Sequence, residues 1–206
     1  MLRFTIAFLL VLSGPALAGT AAKTATEKLA AQESRALKAM SGERLDFLLR
    51  RPEAKIKYSR DWLKSQPVAT GGAEWQCLAE ALYFESRGES VQGQFAVAEV
   101  ILNRVDSKRF PNSICAVVYQ GTGRKYACQF TFTCDGIAEV IHEPAAYDQV
   151  GKVAKMMVDG APRALTDGAT YFHTLSVRPS WSRKFTRTTT IGVHHFYRQP
   201  TQLSLN

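Results

Sequence analysis

Apolar residues recur at every third or fourth position after Gly72, and this spacing limits the fold more strongly than any other feature of the chain. Such spacing places side chains on one face of an α-helix, and here it predicts a helix over residues 74–86. Gly88 is expected to end this helix in a left-handed conformation, which glycine adopts without strain. The side chains that share the inward face are those of Trp75, Leu78, Ala81, Leu82 and Glu85.

Further helices are predicted downstream. Ser90 is suited to cap a second helix, because its hydroxyl can accept a hydrogen bond from a free backbone N–H of the first turn. A short third helix is expected within residues 112–121, capped by Asn112 or Ser113, and a longer one within residues 144–160, which begin with a proline. The inward positions of the second helix are expected to be Gln94 or Phe95, Ala98, Ile101, Leu102 and Val105.

The last part of the chain has a different pattern. Residues 170–173, 185–191 and 193–197 are rich in aromatic and β-branched residues, which favour strands. The predicted fold class is therefore α+β, mainly helical, with a small β-sheet.

The first 18 residues have the order of a secretory signal peptide. Arg3 precedes an apolar run, and Ala16 and Ala18 are the small residues of an Ala-x-Ala cleavage site. The run is shorter than the roughly 20 residues that a membrane-spanning helix needs, so no stable membrane span is expected. Cleavage after Ala18 predicts an exported protein of the periplasm or cell envelope.

Composition divides the remainder of the chain. Residues 19–72 are dominated by Ala, Lys, Glu, Arg and Ser and are interrupted by Pro52 and Pro67, which predicts an N-terminal extension and linker. Residues 73–200 carry the periodic segments and predict one folded domain.

The chain is basic, with 26 Lys and Arg residues against 18 Asp and Glu residues. Arg3 is the only charged residue of the signal peptide, so cleavage lowers the formal net charge by one unit from the +8 of the full chain. This balance favours an acidic partner, and an exported protein first meets anionic cell-wall polymers and lipid headgroups. No nucleic acid is expected as a partner, because the sequence has no recognition module for it.

All four cysteines lie in the predicted domain, and an oxidising compartment favours two disulfides. Four cysteines allow three pairings. The short spacing between Cys128 and Cys134 favours a bond between them, which leaves Cys77 to pair with Cys115. A metal site is the alternative, but the spacing is not that of a Cys-x-x-Cys ligand pair.

Glu85 is the unusual residue on the first predicted helix, because it shares the inward face with apolar residues. Burial disfavours the charged form of a carboxyl group, so the pKa of Glu85 is expected to rise toward neutrality. A carboxylic acid of that kind can protonate the leaving oxygen of a glycosidic bond. The alternative is a structural ion pair with Arg87 or Arg104.

Several sequence blocks resemble the SleB-type cell-wall hydrolase family, also described as spore cortex-lytic enzyme-like. The resemblance covers residues 74–198, and its blocks keep the order and spacing of the family. The blocks are Tyr83-Phe84-Glu85-Ser86-Arg87-Gly88-Glu89, Gly93-Gln94-Phe95-Ala96-Val97-Ala98, Val100-Ile101-Leu102-Asn103-Arg104-Val105, Phe110-Pro111-Asn112, Val117-Val118-Tyr119-Gln120, Cys128-Gln129-Phe130-Thr131-Phe132, Gly168-Ala169-Thr170-Tyr171-Phe172-His173, Trp181, Ile191-Gly192 and His195-Phe196-Tyr197.

The resemblance implies a lysozyme-like, lytic transglycosylase-like catalytic domain that acts on peptidoglycan glycan strands. It assigns the catalytic role to Glu85. The implied reaction cleaves the bond between N-acetylmuramic acid and N-acetylglucosamine, with the muramyl 6-hydroxyl as the attacking group, and requires no cofactor. Two alternatives stay open: hydrolysis by water with Asp135 or Glu89 as a second carboxylate, and a wall-binding module that has the fold without activity. For Glu89, a structural role at the turn between the helices is the stronger interpretation.

Sugar sites are commonly lined by aromatic rings and by amide or hydroxyl groups. On this basis the candidate substrate-binding residues are Gln129, Phe130, Tyr171, His173 and Trp181. Each has a core-packing alternative, which is strongest for Phe130 beside the predicted disulfide. No metal site is expected at His194 and His195, because adjacent strand residues point to opposite faces.

Overall fold

The structure of the protein is a computed structural model that describes residues 26–32, 34–35, 56–124 and 127–200. The predicted signal peptide and most of the predicted extension lie outside these residues. The chain divides into two units, Met1–Glu53 and Ala54–Asn206. In the first unit, residues 26–32 and 34–35 are helical and exposed.

The second unit begins earlier than the domain start predicted at residue 73. Helix α1 (Arg60–Ser65) is capped by Ser59, whose hydroxyl accepts a hydrogen bond from the backbone N–H of Trp62 at 3.3 Å. Leu63 is buried in the core, and the ring of Tyr58 packs edge-on against Phe95 at 5.4 Å. A helix of six residues has too few inward positions to show a periodic pattern, so composition alone assigned this segment to the linker.

The two predicted central helices are confirmed. Helix α2 is Ala73–Ser86 and helix α3 is Val91–Val105. The Ser90 hydroxyl caps α3 by accepting from the backbone N–H of Gly93 at 3.1 Å. The expectation for Gly88 was wrong, because Gly88 is not among the left-handed glycines and α2 ends in a right-handed conformation at Arg87. A hydrogen bond from Glu89 N–H to the Ser86 carbonyl, 2.9 Å long, closes the turn instead.

The shorter and later helices also follow the sequence pattern. Helix α4 (Ile114–Val118) is capped by Ser113, one of the two predicted residues. Helix α5 (Pro144–Val158) starts at the predicted proline, and Gly160 follows it with a φ of 91°.

Three strands in the described part of the chain form an antiparallel sheet of order β1-β3-β2. The strands are β1 (Tyr171–Thr174), β2 (Thr186–Ile191) and β3 (His194–Arg198). Their bounds agree with the predicted strand segments to within one residue. Phe172 pairs with Phe196 across β1 and β3, and a bulge interrupts β2 between Arg187 and Thr189.

Both predicted disulfides are present. The Cys77–Cys115 bond joins α2 to α4. The Cys128–Cys134 bond closes the loop that carries Gln129 and Phe130.

Helix α3 is the centre of the domain. Its residues are buried on nearly every side from Gly93 to Ile101, because α2, α4, α5 and the sheet all pack against it. Ser86, Glu89 and Arg104 lie near its two ends and are buried polar residues. Within the described ranges, none of the helices has the length and apolarity that crossing a membrane requires.

Candidate active site

Glu85 lies in the last turn of α2 and is half-buried. Its carboxyl group makes no hydrogen bond and no ion pair with any residue that the structure describes. Burial raises the pKa of Glu85 from 4.5 to about 7, and the positive charge of Arg104 opposes this rise. Desolvation outweighs the attraction to Arg104, so Glu85 can hold a proton near neutral pH and release it.

Arg104 of α3 is the charged residue that acts on the pKa of Glu85, and it is only 2% exposed. Its Nε donates a 2.7 Å hydrogen bond to the carbonyl of Thr170, at the start of the sheet. With the Gln129 amide turned so that its oxygen faces the guanidinium, that oxygen accepts from both terminal nitrogens, at 3.1 and 3.2 Å. Arg104 is therefore fixed by one loop and one strand end.

Aromatic rings enclose the same guanidinium. It lies 5.4 Å from the ring centroid of Phe110, 5.5 Å from that of Phe130 and 5.6 Å from that of Tyr171. These rings lower the local polarity, and burial lowers the pKa of Arg104 to about 10, while Tyr171 and Glu85 oppose that shift. Arg104 stays charged at physiological pH, and its cation–π contacts offset part of its desolvation.

The structural ion-pair alternative for Glu85 is not formed. Arg87 pairs with Glu143 through Nε and Oε2 at 2.6 Å and donates to the Tyr83 carbonyl at 3.2 Å. Arg104 is bonded to Thr170 and Gln129. The Glu85 carboxyl group is consequently left without a protein partner among the described residues, so it is available to a ligand.

The two candidates for a second carboxylate have other contacts. Glu89 is 8% exposed. Its Oε1 accepts a hydrogen bond from the Val193 backbone N–H at 3.4 Å and lies 3.4 Å from His194 Nδ1. It therefore ties the start of α3 to the turn between β2 and β3, whereas the sequence interpretation placed its contacts at the turn between α2 and α3. Asp135 is exposed and accepts from the Ile137 backbone N–H at 2.8 Å within its own loop.

Tyr171, which contacts Arg104, packs against Trp181, and both aromatic residues are half-buried. Their ring centroids are 5.2 Å apart, and Tyr171 also lies 5.9 Å from Phe110. Both rings retain exposed surface, which a sugar face can cover. Of the five predicted binding residues, Gln129, Phe130 and Tyr171 contact Arg104, and Trp181 packs on Tyr171.

Phe130 and His173 do not offer free surface to a ligand. Phe130 is 3% exposed and belongs to the core, where it packs under Arg104 and against Phe132. His173 is 8% exposed, with Nδ1 bonded to the Thr174 carbonyl at 2.8 Å and Nε2 to the Tyr197 hydroxyl at 3.0 Å. For both residues the core-packing alternative describes the structure, because their surroundings already use the ring faces and the ring nitrogens.

Sequence reasoning gave Arg104 too small a role and left Phe110 out of the site. The available signal was the position of Arg104 three residues after Ile101, on the inward face of α3, where a charge requires a specific set of partners. Within the described ranges, no group of three His, Cys, Asp or Glu side chains lies together as metal ligands would.

Comparison with known proteins identifies the family. A sequence model described as Cell Wall Hydrolase matches residues 88–197, more than half of the chain. The chain belongs to the cell wall hydrolase family. The matched region begins three residues after Glu85, so the match concerns α3, the disulfide loop and the sheet more than the end of α2.

Relatives of this cell wall hydrolase include spore cortex-lytic enzymes. The chain is 39% identical to the one from Bacillus subtilis over 72 residues, which are 35% of this chain and 22% of that protein. It is 48% identical to the one from Bacillus cereus over 61 residues, which are 30% of this chain and 21% of that protein. The matched segments thus span about a fifth of the length of these curated relatives.

A solved structure gives the fold comparison. The catalytic domain of the germination-specific lytic transglycosylase SleB from Bacillus anthracis is 29% identical, with a TM-score of 0.50. The similarity covers 65% of this chain and 100% of that domain. It confirms the predicted resemblance and the predicted class, a mainly helical, lysozyme-like domain with a small sheet.

Proposed function

We propose that this cell wall hydrolase cleaves the bond between N-acetylmuramic acid and N-acetylglucosamine in peptidoglycan, as a lytic transglycosylase with Glu85 as its acid and base. One observation carries the proposal: Glu85 is half-buried, has a pKa raised to about 7, and has no protein partner among the described residues. A group with these properties can donate a proton and take one back at neutral pH.

The first step is general acid catalysis. Glu85 donates its proton to the glycosidic oxygen while the bond from that oxygen to C1 of the muramyl residue breaks. The positive charge that develops on the muramyl ring and the new negative charge on Glu85 then face each other. Arg104 limits the cost of forming the Glu85 carboxylate, because its buried guanidinium attracts that charge.

The second step returns the proton. The Glu85 carboxylate accepts the proton of the muramyl 6-hydroxyl, and the hydroxyl oxygen bonds to C1, which gives a 1,6-anhydro end. This sequence needs one carboxylate. The contacts of Glu89 with the β2–β3 turn and of Asp135 with its own loop support a mechanism without a second one.

We infer that the protein acts outside the cytoplasm, in the periplasm or cell envelope. The order of residues 1–18 and the two disulfides support export. N-terminal sequencing of the mature protein is expected to start at Gly19. Retention of Met1 on the envelope-located protein would contradict cleavage at this site.

The test of the catalytic assignment is Glu85→Gln, assayed by release of muropeptides from purified peptidoglycan. The variant keeps the side-chain size but lacks the transferable proton, so kcat is expected to fall about a hundredfold or more. Glu143→Gln is the matched control, because it removes one carboxylate from an exposed ion pair. The control is expected to retain wild-type turnover, and wild-type turnover of Glu85→Gln would refute the assignment.

Product chemistry separates the two possible nucleophiles. Mass analysis of the digest is expected to show muramyl ends that are 1,6-anhydro forms. Reducing ends in their place would mean that water attacks, and Asp135→Asn and Glu89→Gln would then identify the second carboxylate.

A further inference from the structure

A groove lies at the C-terminal end of α3, next to residues that contact Arg104. It has a volume of about 330 Å³ and is lined by residues of the α3 end, the segment after it, and the end of β3. Two of its lining residues, Phe110 and Thr170, also contact Arg104. The groove is therefore linked through these two residues to Arg104, the residue whose charge acts on Glu85.

The groove carries uncompensated positive charge. Arg109 lines it and uses both terminal nitrogens on the carbonyl of Pro200, at 3.3 and 3.2 Å, which leaves its charge without an acidic partner among the described residues. Arg198 lines it too, and its nearest carboxylate is the exposed Asp167 at 3.6 Å. An ion pair this exposed contributes little free energy, so a ligand carboxylate can compete with Asp167 for Arg198.

The carboxylate that lines the groove does not balance these arginines. Asp106 is bonded to Arg163 at 2.5 Å, and Arg163 is not among the residues that line the groove. The Asp106 charge is thus matched by a third arginine, and Arg109 and Arg198 are the two arginines that line the groove. Guanidinium groups recognise carboxylates through paired hydrogen bonds.

We propose that this groove binds the carboxylates of the muramyl residues next to the scissile bond, so that the enzyme distinguishes acidic glycan strands from neutral ones. The inference rests on the proposed function, because a polymer held at Glu85 extends past the bond that is cut. The half-buried ring of Phe110 supplies an apolar face for a sugar, and the two arginines supply the contacts to the acid. The carboxylate belongs to the attached peptide or, on muramyl residues without a peptide, to the lactyl ether, because the peptide is joined to the lactyl carboxyl by an amide bond.

The test compares three forms of the same strands: with their peptides, after amidase removal of the peptides, and with all carboxyl groups converted to neutral amides. For Arg109→Gln combined with Arg198→Gln, KM is expected to rise on the order of fivefold on the strands that carry the recognised carboxylate, with kcat unchanged. On neutral strands the variant and the wild type are expected to have the same KM. A lower wild-type KM on amidase-treated strands than on neutral strands would identify the lactyl carboxylate as the ligand. A lower KM only on peptide-bearing strands would identify the peptide carboxylate.

Lys108→Gln is the matched control, because it removes one positive charge next to Arg109 from a residue that does not line the groove. The control is expected to keep the wild-type KM. An equal KM rise in the control, an equal rise on neutral strands, or no rise in the double variant would each overturn the proposal. If the double variant has a lowered melting temperature, Arg198→Gln alone replaces it, since Arg198 is an exposed residue at the end of β3.

Binding measurements distinguish a failure of the groove proposal from a failure of the proposed function. Co-sedimentation with the three strand types is measured in the wild type and in Glu85→Gln, with and without the groove substitutions. If no strand is cleaved, the proposed function fails, but charge-selective binding that depends on Arg109 and Arg198 would still support the groove. If strands are cleaved and binding ignores their charge, only the groove proposal fails.

Discussion

The substitution Glu85→Gln is expected to make the protein more stable while it removes activity. The pKa of Glu85 is about 7 in the folded protein, against 4.5 for an exposed glutamate. Below pH 4.5 the folded and unfolded states both hold the proton, so the group costs no stability there. As the pH rises from 4.5 to about 7, the unfolded chain loses its proton first, and the free energy of unfolding falls.

The size of this effect follows from the two pKa values. Their difference corresponds to about 3 kcal/mol of lost stability above pH 7. Glu85 keeps some contact with solvent, and a buried glutamine amide has its own desolvation cost, so the expected gain for Glu85→Gln at pH 8 is about 1–3 kcal/mol. At pH 4 the expected difference is close to zero.

Urea unfolding followed by tryptophan fluorescence, at pH 4 and at pH 8 with the disulfides intact, measures this difference. Glu143→Gln is again the control, and its effect is expected to be within about 1 kcal/mol at both pH values, because it loses only an exposed ion pair. A Glu85→Gln variant that is less stable than the wild type at pH 8 would refute the reasoning, since that result belongs to a broken structural ion pair. A gain that is the same at both pH values would also refute it.

Three further predictions follow from the site and its supports. Arg104→Met removes the positive charge that counteracts the effect of burial on Glu85, so the pKa of Glu85 is expected to rise above 7. The alkaline limb of the pH profile of kcat/KM should then move to higher pH, and an unchanged limb would contradict this. Replacing Cys128 and Cys134 by serine is expected to lower stability by about 2 kcal/mol and to raise KM on peptidoglycan, because the loop holds Gln129 against Arg104, while the helical circular dichroism is retained. Gly192→Ala is expected to lower the free energy of unfolding, measured by denaturant titration, by about 1–3 kcal/mol. The residue has a φ of 58°, and an added Cβ would overlap the buried carboxylate of Glu89.

The sequence predicted the helices and strands well where local patterns decide them. The spacing from Trp75 to Glu85 identified α2, and Ser90 and Pro144 marked the starts of α3 and α5. The half-burial of Glu85 was predicted because its position on the helix face follows from the same spacing, and its catalytic role stays a prediction. Gly88 was misjudged, since a glycine after a helix permits a left-handed residue without requiring it.

Side-chain surroundings were harder to predict, because they depend on segments far apart in the chain. Phe130 and His173 carry groups typical of sugar sites, but their burial is decided by Phe132, Tyr197 and the sheet. Arg104 owes its role to Thr170, which is distant in sequence. Helix α1 was not predicted, because its single buried residue, Leu63, cannot show a helical spacing of apolar residues.

The burial of α3 on nearly every side has a consequence for how this sequence can change in length. Each residue added to a helix turns everything beyond it by about 100°. An insertion after Phe95 would therefore move Arg104 out of its aromatic enclosure and bring a different side chain toward Glu85. In an insertion scan, single-residue additions within α3 are expected to abolish glycan cleavage, whereas additions in the exposed segment 135–140 should leave it intact.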